Sequence, residues 1–358
     1  MARTFISRAY ASRNRPKMPI PIVRGDEWHG RPAPPWLIAG VLAMNALACL
    51  YGQSDVGKSY VAVYLALSIA NGLRCLGGRA VHHGPVLYIV GEGEAWFQYR
   101  LDGWVKRHRK ILRPLLRFFW VPQPINLDDD AEVGNLIESI EMTFPHEKPV
   151  LIVIDTLATS MGQGNENDTH DMKITVDALK RLRRTFGCTV LVIHHSGRDL
   201  SKGSRGSTVL RAAVDTELFL KRPKVKEPFL ALVCKKLKDG AAKFDDIRLE
   251  LVESIDLGVT DTSGTPITSA MVRYPGPPKP SLAQQFAVEH RRETLALLVK
   301  LGTATYGQLV KTKENPRGIP HDSLAKALHF LTADGYAEKP GKLYIPTLLG
   351  KKTLRRPA

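Results

Sequence analysis

The chain has 358 residues, 44% hydrophobic and 24% charged, so it can build an extensive core and has room for one large domain and a small one. The apolar stretch from Trp36 to Tyr51 is too short and too interrupted to cross a membrane, which argues against a membrane protein. The net charge is +16, and most of it lies at the ends: residues 1–35 carry seven basic and two acidic side chains, and residues 278–358 carry fourteen and six. Basic ends around a nearly neutral centre favour a polyanionic partner, with nucleic acid the leading candidate.

The N-terminus and the cysteines both bear on cellular location. Residues 1–35 contain six prolines and no acid before Asp26, which predicts an irregular basic arm. A transit peptide has a similar bias and is the alternative to such an arm. A secretory signal is disfavoured, because the segment lacks the apolar core of one. The four cysteines are scattered without metal-ligand spacing, which favours buried reduced thiols in a cytoplasmic protein.

Residues 52–59 match the phosphate-binding loop pattern G-x-x-x-x-G-K-[ST] in full. An apolar run at 46–51 predicts a buried strand before the loop, and the run 60–70 predicts a helix after it. Lys58 is expected to reach the β- and γ-phosphates of ATP, and the Ser59 hydroxyl to help hold Mg²⁺. The predicted nucleotide-binding residues are Gly52, Gln53, Ser54, Asp55, Val56, Gly57, Lys58, Ser59 and Tyr60.

Strand-like and helix-like runs alternate from residue 36 to 262, which predicts an α/β domain with a mostly parallel sheet. The predicted strands are 86–90, 150–154 and 189–193, and the later runs 216–221, 229–236 and 247–252 are expected to extend the sheet as antiparallel strands. The predicted helices are 95–112, 131–142 and 169–186. In the last of these, Ile174, Ala178, Leu179 and Leu182 are predicted to share the apolar face.

Residues 263–282 are rich in proline and glycine and are predicted to be a linker. Beyond them, 283–358 are expected to form a small domain of three helices and a hairpin. The predicted helices are 283–300, 304–313 and 321–334, and the hairpin turns at 339–342. This order resembles a winged helix-turn-helix, in which the third helix enters the major groove of duplex DNA. A winged-helix module for protein–protein contacts is the alternative.

Carboxylates follow two of the predicted strands. Asp155 ends the strand at 150–154, where a carboxylate can hold Mg²⁺ directly or through water. Hydrolysis also needs an acceptor that aligns the attacking water, and no acid directly follows Asp155. Glu92 and Glu94, after the strand at 86–90, are the candidates, with Glu92 preferred.

A pair of histidines, His194 and His195, ends the strand at 189–193 and is predicted to sense the γ-phosphate. The segment 196–207 after it is small, polar and basic, which predicts a mobile loop. The loop could lie on DNA phosphates or present Arg205 to a nucleotide in a neighbouring subunit. A cationic side chain that reaches a nucleotide in a neighbouring subunit is called a finger. The alternatives to Arg205 for this role are Arg211, Lys236 and Lys238.

Taken in order, the loop 52–59, Glu92, Asp155, His194-His195 and the segment 203–208 resemble the RecA-like ATPases of the plasmid RepA type, over residues 36–250. Those proteins are ring-forming replicative DNA helicases, with relatives encoded by phages and mobile elements. The resemblance implies a catalytic glutamate at Glu92, a histidine sensor and an arginine finger at Arg205. It implies a magnesium site at Ser59 and Asp155. It also implies nucleotide sites between the subunits of a hexamer.

The segment around Lys236 and Lys238 resembles the finger segment of bacterial DnaB-type helicases, with lysine where arginine is expected. The leading hypothesis is therefore a hexameric ATPase that acts as a helicase on single-stranded DNA, with the C-terminal domain recognising duplex DNA. The alternatives are an ATP-switched DNA-binding regulator or loader, and a RecA-like repair or recombination ATPase that forms filaments.

Overall fold

The computed structural model describes residues 24, 35–111, 115–195, 208–223, 228–238, 243–276, 282–311, 321–348 and 351. The chain divides into two compact units between residues 276 and 277. Among the described residues, no helix is both long enough and apolar enough to cross a membrane.

The first unit alternates strands and helices, as the sequence predicts. Its strands are β1 (Trp36–Ile38), β2 (Leu42–Ala43), β3 (Leu47–Gly52), β4 (Val86–Val90), β5 (Phe118–Val121), β6 (Leu151–Asp155), β7 (Thr189–His195), β8 (Thr216–Lys221), β9 (Phe229–Leu237), β10 (Ile247–Thr260) and β11 (Pro266–Arg273). Its helices are α1 (Lys58–Ala70), α2 (Glu94–Arg107), α3 (Asp130–Thr143), α4 (Thr169–Phe186) and α5 (Thr208–Ala213), with a 3₁₀ turn at Ala158–Met161.

In the described part of this unit, nine strands form one sheet in the order β11-β10-β9-β8-β3-β7-β6-β4-β5. The strands from β8 to β5 in this order are parallel to their neighbours, and β9, β10 and β11 continue the sheet in antiparallel fashion. The central strands are apolar on both faces because helices cover both faces. The prediction of an α/β fold with a mostly parallel sheet is confirmed.

Each face of the sheet has its own apolar core. One core joins α1 and α2 to the sheet through buried side chains such as Leu65, Phe97 and Trp104. The other joins α3 and α4 through residues such as Ile137 and Leu179. The carboxyl ends of the parallel strands lie together at one edge of the sheet, the place where α/β proteins bind ligands.

Two details of the sheet and one of a helix differ from the sequence predictions. β8 was expected to be antiparallel, but it is parallel to β3, because the chain crosses over through α5 before entering it. β5 is an edge strand that the sequence patterns did not predict. In α4, Ile174 is 40% exposed and not on the apolar face. The side chains of α4 that are buried are Met172, Thr175, Val176, Leu179, Leu182 and Phe186.

The linker predicted at 263–282 is wrong for residues 266–273, which form β11. This strand pairs with β10, and an ion pair of 2.7 Å joins Arg273 to Glu250 across the two strands. Proline is tolerated at the first residue of an edge strand, so Pro266 does not prevent the pairing. The β10–β11 hairpin packs its apolar residues against α1 and α2.

The second unit is a small helical domain with a short sheet. It contains α6 (Leu282–Leu301), β12 (Ala304–Thr305), α7 (Tyr306–Lys311), α8 (His321–Ala333), β13 (Ala337–Glu338) and β14 (Leu343–Pro346). The sheet order is β12-β14-β13, and both pairs are antiparallel. The three helices and the hairpin lie close to their predicted positions. Residues 304–305 of the second predicted helix form a strand, and its last two residues, 312–313, lie outside the described residues. Its core is formed by leucines such as Leu298, Leu309, Leu324 and Leu328.

Replacing Leu179 by alanine should lower the free energy of unfolding by about 2–5 kcal/mol, because this side chain is fully buried and its loss leaves a cavity. Ile174→Ala, on the exposed side of the same helix, should cost less than about 1 kcal/mol. Urea denaturation followed by circular dichroism measures both values. Equal losses in the two variants would contradict the assignment of the buried face.

Candidate nucleotide-binding site

The phosphate loop connects the last residue of β3, Gly52, to the first residue of α1, Lys58. Gly57 has a φ of 99°, a left-handed conformation that side chains rarely adopt. A Cβ on Gly52 would overlap the carbonyl oxygen of Leu220 on β8. The glycines of the pattern are therefore required by this backbone path, which leads the chain into the N-terminus of α1. Unpaired N–H groups at a helix N-terminus form a ready anion site.

Lys58 is only 6% exposed. Its Nζ donates a hydrogen bond of 2.8 Å to the carbonyl oxygen of Gln53 and lies 3.4 Å from Nδ1 of His195. Burial lowers the pKa of this amine, while Asp155, Glu92 and Asp55 act in the opposite direction. The loop thus folds back on its own lysine and holds it at the point where phosphates would bind.

Asp155 ends β6 and is almost fully buried. Its Oδ2 accepts a hydrogen bond of 2.7 Å from the Tyr88 hydroxyl, whereas Oδ1 makes no hydrogen bond of good geometry with any described residue. Burial raises the pKa of this carboxyl, and the hydroxyls of Tyr88 and Ser59 lower it. A buried carboxylate oxygen without a well-formed hydrogen bond, beside a serine hydroxyl, fits the oxygen ligands that Mg²⁺ takes next to a bound nucleotide.

Glu92 lies in the loop between β4 and α2, beside the end of β6. Its Oε1 accepts a hydrogen bond of 2.8 Å from Oγ1 of Thr156. The loop comes close to β6 because Gly91 donates its N–H to the carbonyl oxygen of Asp155 at 2.6 Å, and a Cβ on Gly91 would overlap Thr159. Glu92 lines the cavity at the phosphate loop. Glu94 is the first residue of α2 and is not among the residues that line it.

The two histidines at the end of β7 are placed differently. Successive side chains of a strand point to opposite faces, so only one of the pair can meet the phosphate loop. His195 does so: its Nδ1 lies 3.2 Å from Oγ of Ser54 and 3.4 Å from Nζ of Lys58. His194 is fully buried.

The predicted finger residue Arg205 and the loop 196–207 lie outside the described residues. The alternatives contact groups of their own chain near α5. The guanidinium of Arg211 pairs with the buried carboxylate of Glu217 at 3.2 Å. Lys236 donates a hydrogen bond of 2.9 Å to the carbonyl oxygen of Arg211.

Lys238, the third alternative, lies 3.8 Å from a carboxylate oxygen of Asp215. The same aspartate accepts the N–H of Leu47 at 2.9 Å, so it ties the end of β9 to the start of β3. Lys238 therefore lies at the amino end of β3, whereas the phosphate loop follows its carboxyl end.

A cavity of about 480 Å³ adjoins the phosphate loop, a volume in the range of ordinary small-molecule sites. Besides the loop, Glu92, Thr156 and His195, it is lined by side chains that the analysis of the sequence missed. These are Arg100 of α2, Arg222, which follows β8, and the hairpin residues Leu251, Glu253, Ser254, Thr268, Ser269 and Ala270. Both arginines come from segments with no recognisable motif, so their place in the site depends on the fold.

Arg100 lines the cavity beside Tyr60 at the start of α1. Its guanidinium lies 5.7 Å from the ring centre of Tyr60, and its charge lowers the pKa of Asp155. A Cβ on Gly93, which has a φ of 67°, would lie 2.9 Å from Arg100. Glycine at position 93 therefore leaves space for the guanidinium of Arg100 near Glu92 and Asp155.

A family model described as "AAA domain" matches residues 14–200, just over half of the chain. The match begins within the predicted arm, includes the phosphate loop, Glu92 and Asp155, and ends before Arg205. No curated protein matches the chain significantly. Such a domain is an ATPase domain and implies nucleotide binding, typically with Mg²⁺. With its phosphate loop and its mostly parallel sheet, the chain belongs to the AAA domain family.

Proposed function

We propose that this protein is an oligomeric, ring-forming ATPase that acts as a replicative-type helicase on single-stranded DNA. The observation that carries the proposal is the position of Glu92. It follows β4, the strand next to β6, and lies in the same cavity as Lys58 and the phosphate loop. The resemblance to RepA-type helicases implies a catalytic glutamate at this place.

In the proposed reaction the N–H groups of the loop and the amine of Lys58 bind the phosphates of ATP. Glu92 orients a water molecule and accepts its proton as the water oxygen attacks the γ-phosphorus and the bond to the β–γ bridging oxygen breaks. Ser59 and Asp155 would hold Mg²⁺, which neutralises charge on the phosphate oxygens when bound. His195, in contact with Lys58 and Ser54, is suited to sense the γ-phosphate.

DNA is the proposed partner because the charge of the chain is concentrated at its ends. In the second unit, α8 exposes Lys326 and His329, and the β13–β14 hairpin exposes Lys339 and Lys342. The order of helices and strands in this unit supports a winged helix-turn-helix that contacts duplex DNA. The motor domain would act on the single strand, and a hexamer is the expected ring.

A second function, an ATP-switched DNA-binding regulator or loader, is favoured by one observation. The second unit is compact and has its own leucine core. As a DNA-binding module it would select the DNA site, while ATP controls assembly of the protein there. This function predicts tight binding of the full-length protein to duplex DNA and no unwinding.

Glu92→Gln should still bind ATP but slow hydrolysis by about 10²- to 10⁴-fold, because an amide cannot accept the proton of the attacking water. The amide oxygen can keep the hydrogen bond from Thr156. Phosphate release and fluorescent-nucleotide binding measure the two effects. Glu94→Gln is the matched control and should hydrolyse normally. If the two variants exchange these behaviours, Glu94 is the base.

Arg205→Ala should reduce ATP hydrolysis by about 10³- to 10⁵-fold if this arginine completes a site in the neighbouring subunit. Mixed with wild-type protein, the variant should then lower activity more steeply than its share of the mixture. Arg211→Ala serves as the comparison, because its guanidinium already pairs with Glu217. If the ATPase activity of the mixture falls only in proportion to the share of the variant, Arg205 does not act as a finger between subunits.

A strand-displacement assay with ATPase readout, with and without single-stranded DNA, tests the helicase proposal. The expected result is DNA-stimulated hydrolysis, unwinding with one polarity, and a ring by electron microscopy with ATP and Mg²⁺. A protein that remains monomeric under these conditions would exclude the ring helicase. DNA-stimulated hydrolysis without unwinding would favour the regulator.

A further inference from the structure

We propose that Tyr88 is a positioning residue for the carboxylate of Asp155: its hydroxyl holds Oδ2, so that Oδ1 is the oxygen presented to the Mg²⁺ of a bound nucleotide. The inference rests on the proposed ATPase function. It adds a residue that belongs neither to the phosphate loop nor to the ends of the strands, and that no motif of the sequence indicates.

The sheet register explains why a tyrosine at this position reaches Asp155. Val90 of β4 pairs with Asp155 of β6, and Tyr88 pairs with Val153, two residues earlier on the same face. Two residues of a strand span about 6.6 Å along its axis. The phenol ring bridges this rise, and its hydroxyl arrives 2.7 Å from Oδ2 of Asp155.

The tyrosine ring is firmly held. Tyr88 is fully buried, and its ring lies 4.9 Å from that of Phe97 and 6.0 Å from that of Phe118, measured between centroids. Close-packed aromatic neighbours leave the ring little freedom to move. The hydroxyl is therefore a fixed donor, and a fixed donor defines the rotation of the carboxylate that it meets.

The other carboxylate oxygen is left for a ligand. Oδ1 of Asp155 is buried and makes no hydrogen bond of good geometry with any described residue, although the Ser59 hydroxyl is close enough to influence the carboxyl. A buried polar atom without a well-formed hydrogen bond is costly, and a bound cation would satisfy it. Carboxylates that bind metals are commonly held in position by a hydrogen-bond partner, and loss of that partner weakens metal binding. Tyr88 is such a partner for Asp155.

Tyr88→Phe in the full-length protein tests the inference, because it removes only the hydroxyl. Binding of a fluorescent ADP analogue is titrated with Mg²⁺, and the Mg²⁺ requirement of ATP hydrolysis is measured in parallel. Two Mg²⁺ concentrations should each rise about 10- to 100-fold: the one that gives half of the maximal increase in analogue binding, and the one that gives half of the maximal rate of hydrolysis. Binding of the analogue in EDTA should be unchanged, and kcat should recover largely at saturating Mg²⁺.

Tyr51→Phe is the matched control. Tyr51 is another buried tyrosine, on β3, and its ring centre lies 5.0 Å from that of Phe219 in the apolar core on the opposite face of the sheet. The Mg²⁺ requirement of the Tyr51→Phe variant should equal that of the wild type. If Tyr88→Phe does not fold by circular dichroism, Tyr88→Met removes the same hydroxyl with a side chain that adapts to irregular space, and the same rise is expected.

An unchanged Mg²⁺ requirement in the folded variant would overturn the inference. So would weaker binding of the analogue already in EDTA, because Tyr88 would then act on the phosphate loop. An equal rise in Tyr51→Phe would also overturn it, because the effect would be general. A wild-type protein that neither binds nor hydrolyses Mg²⁺-nucleotide would instead refute the proposed function.

Discussion

The parallel register of β3, β4, β6 and β7 is the constraint on which the site depends. Gly52 pairs with His195, and Val90 pairs with Asp155, so the carboxyl ends of these strands meet at one edge of the sheet. Each strand ends in a residue or loop with a different chemical property: a glycine turn, a loop that carries Glu92, the carboxylate of Asp155 and the imidazole of His195. A shift of one residue in any pair would turn these side chains to the opposite face.

The site is also a compromise between burial and charge. Lys58 and Asp155 are both nearly buried, which is costly for isolated charges. The structure offsets this cost with a carbonyl oxygen for the lysine, a phenol for the aspartate and mutual attraction between the two charges. These contacts hold both side chains in fixed positions beside the phosphate loop. Fixed charges and dipoles of this kind are the preorganisation that phosphoryl transfer requires.

The β10–β11 hairpin extends the site beyond the parallel core. It packs on α1 and α2 and contributes one wall of the cavity beside the phosphate loop. Its strand β10 is irregular between Val252 and Ile255, and Ser254 there has a φ of 56°. Irregularities of this kind redirect side chains and are frequent beside functional sites.

Much of this arrangement was readable from the sequence, because short-range patterns encode it. The strand at Val86–Val90 and the helix at Thr169–Phe186 follow from local apolar periodicity, and the phosphate loop follows from its glycines and lysine. The positions of Arg100 and Tyr88 beside the site were not readable, because each depends on which strands and helices lie next to each other. β11 was hidden by turn-forming residues at its ends. Local propensity thus determined the elements and the loop, whereas the sheet order and register decided which side chains meet.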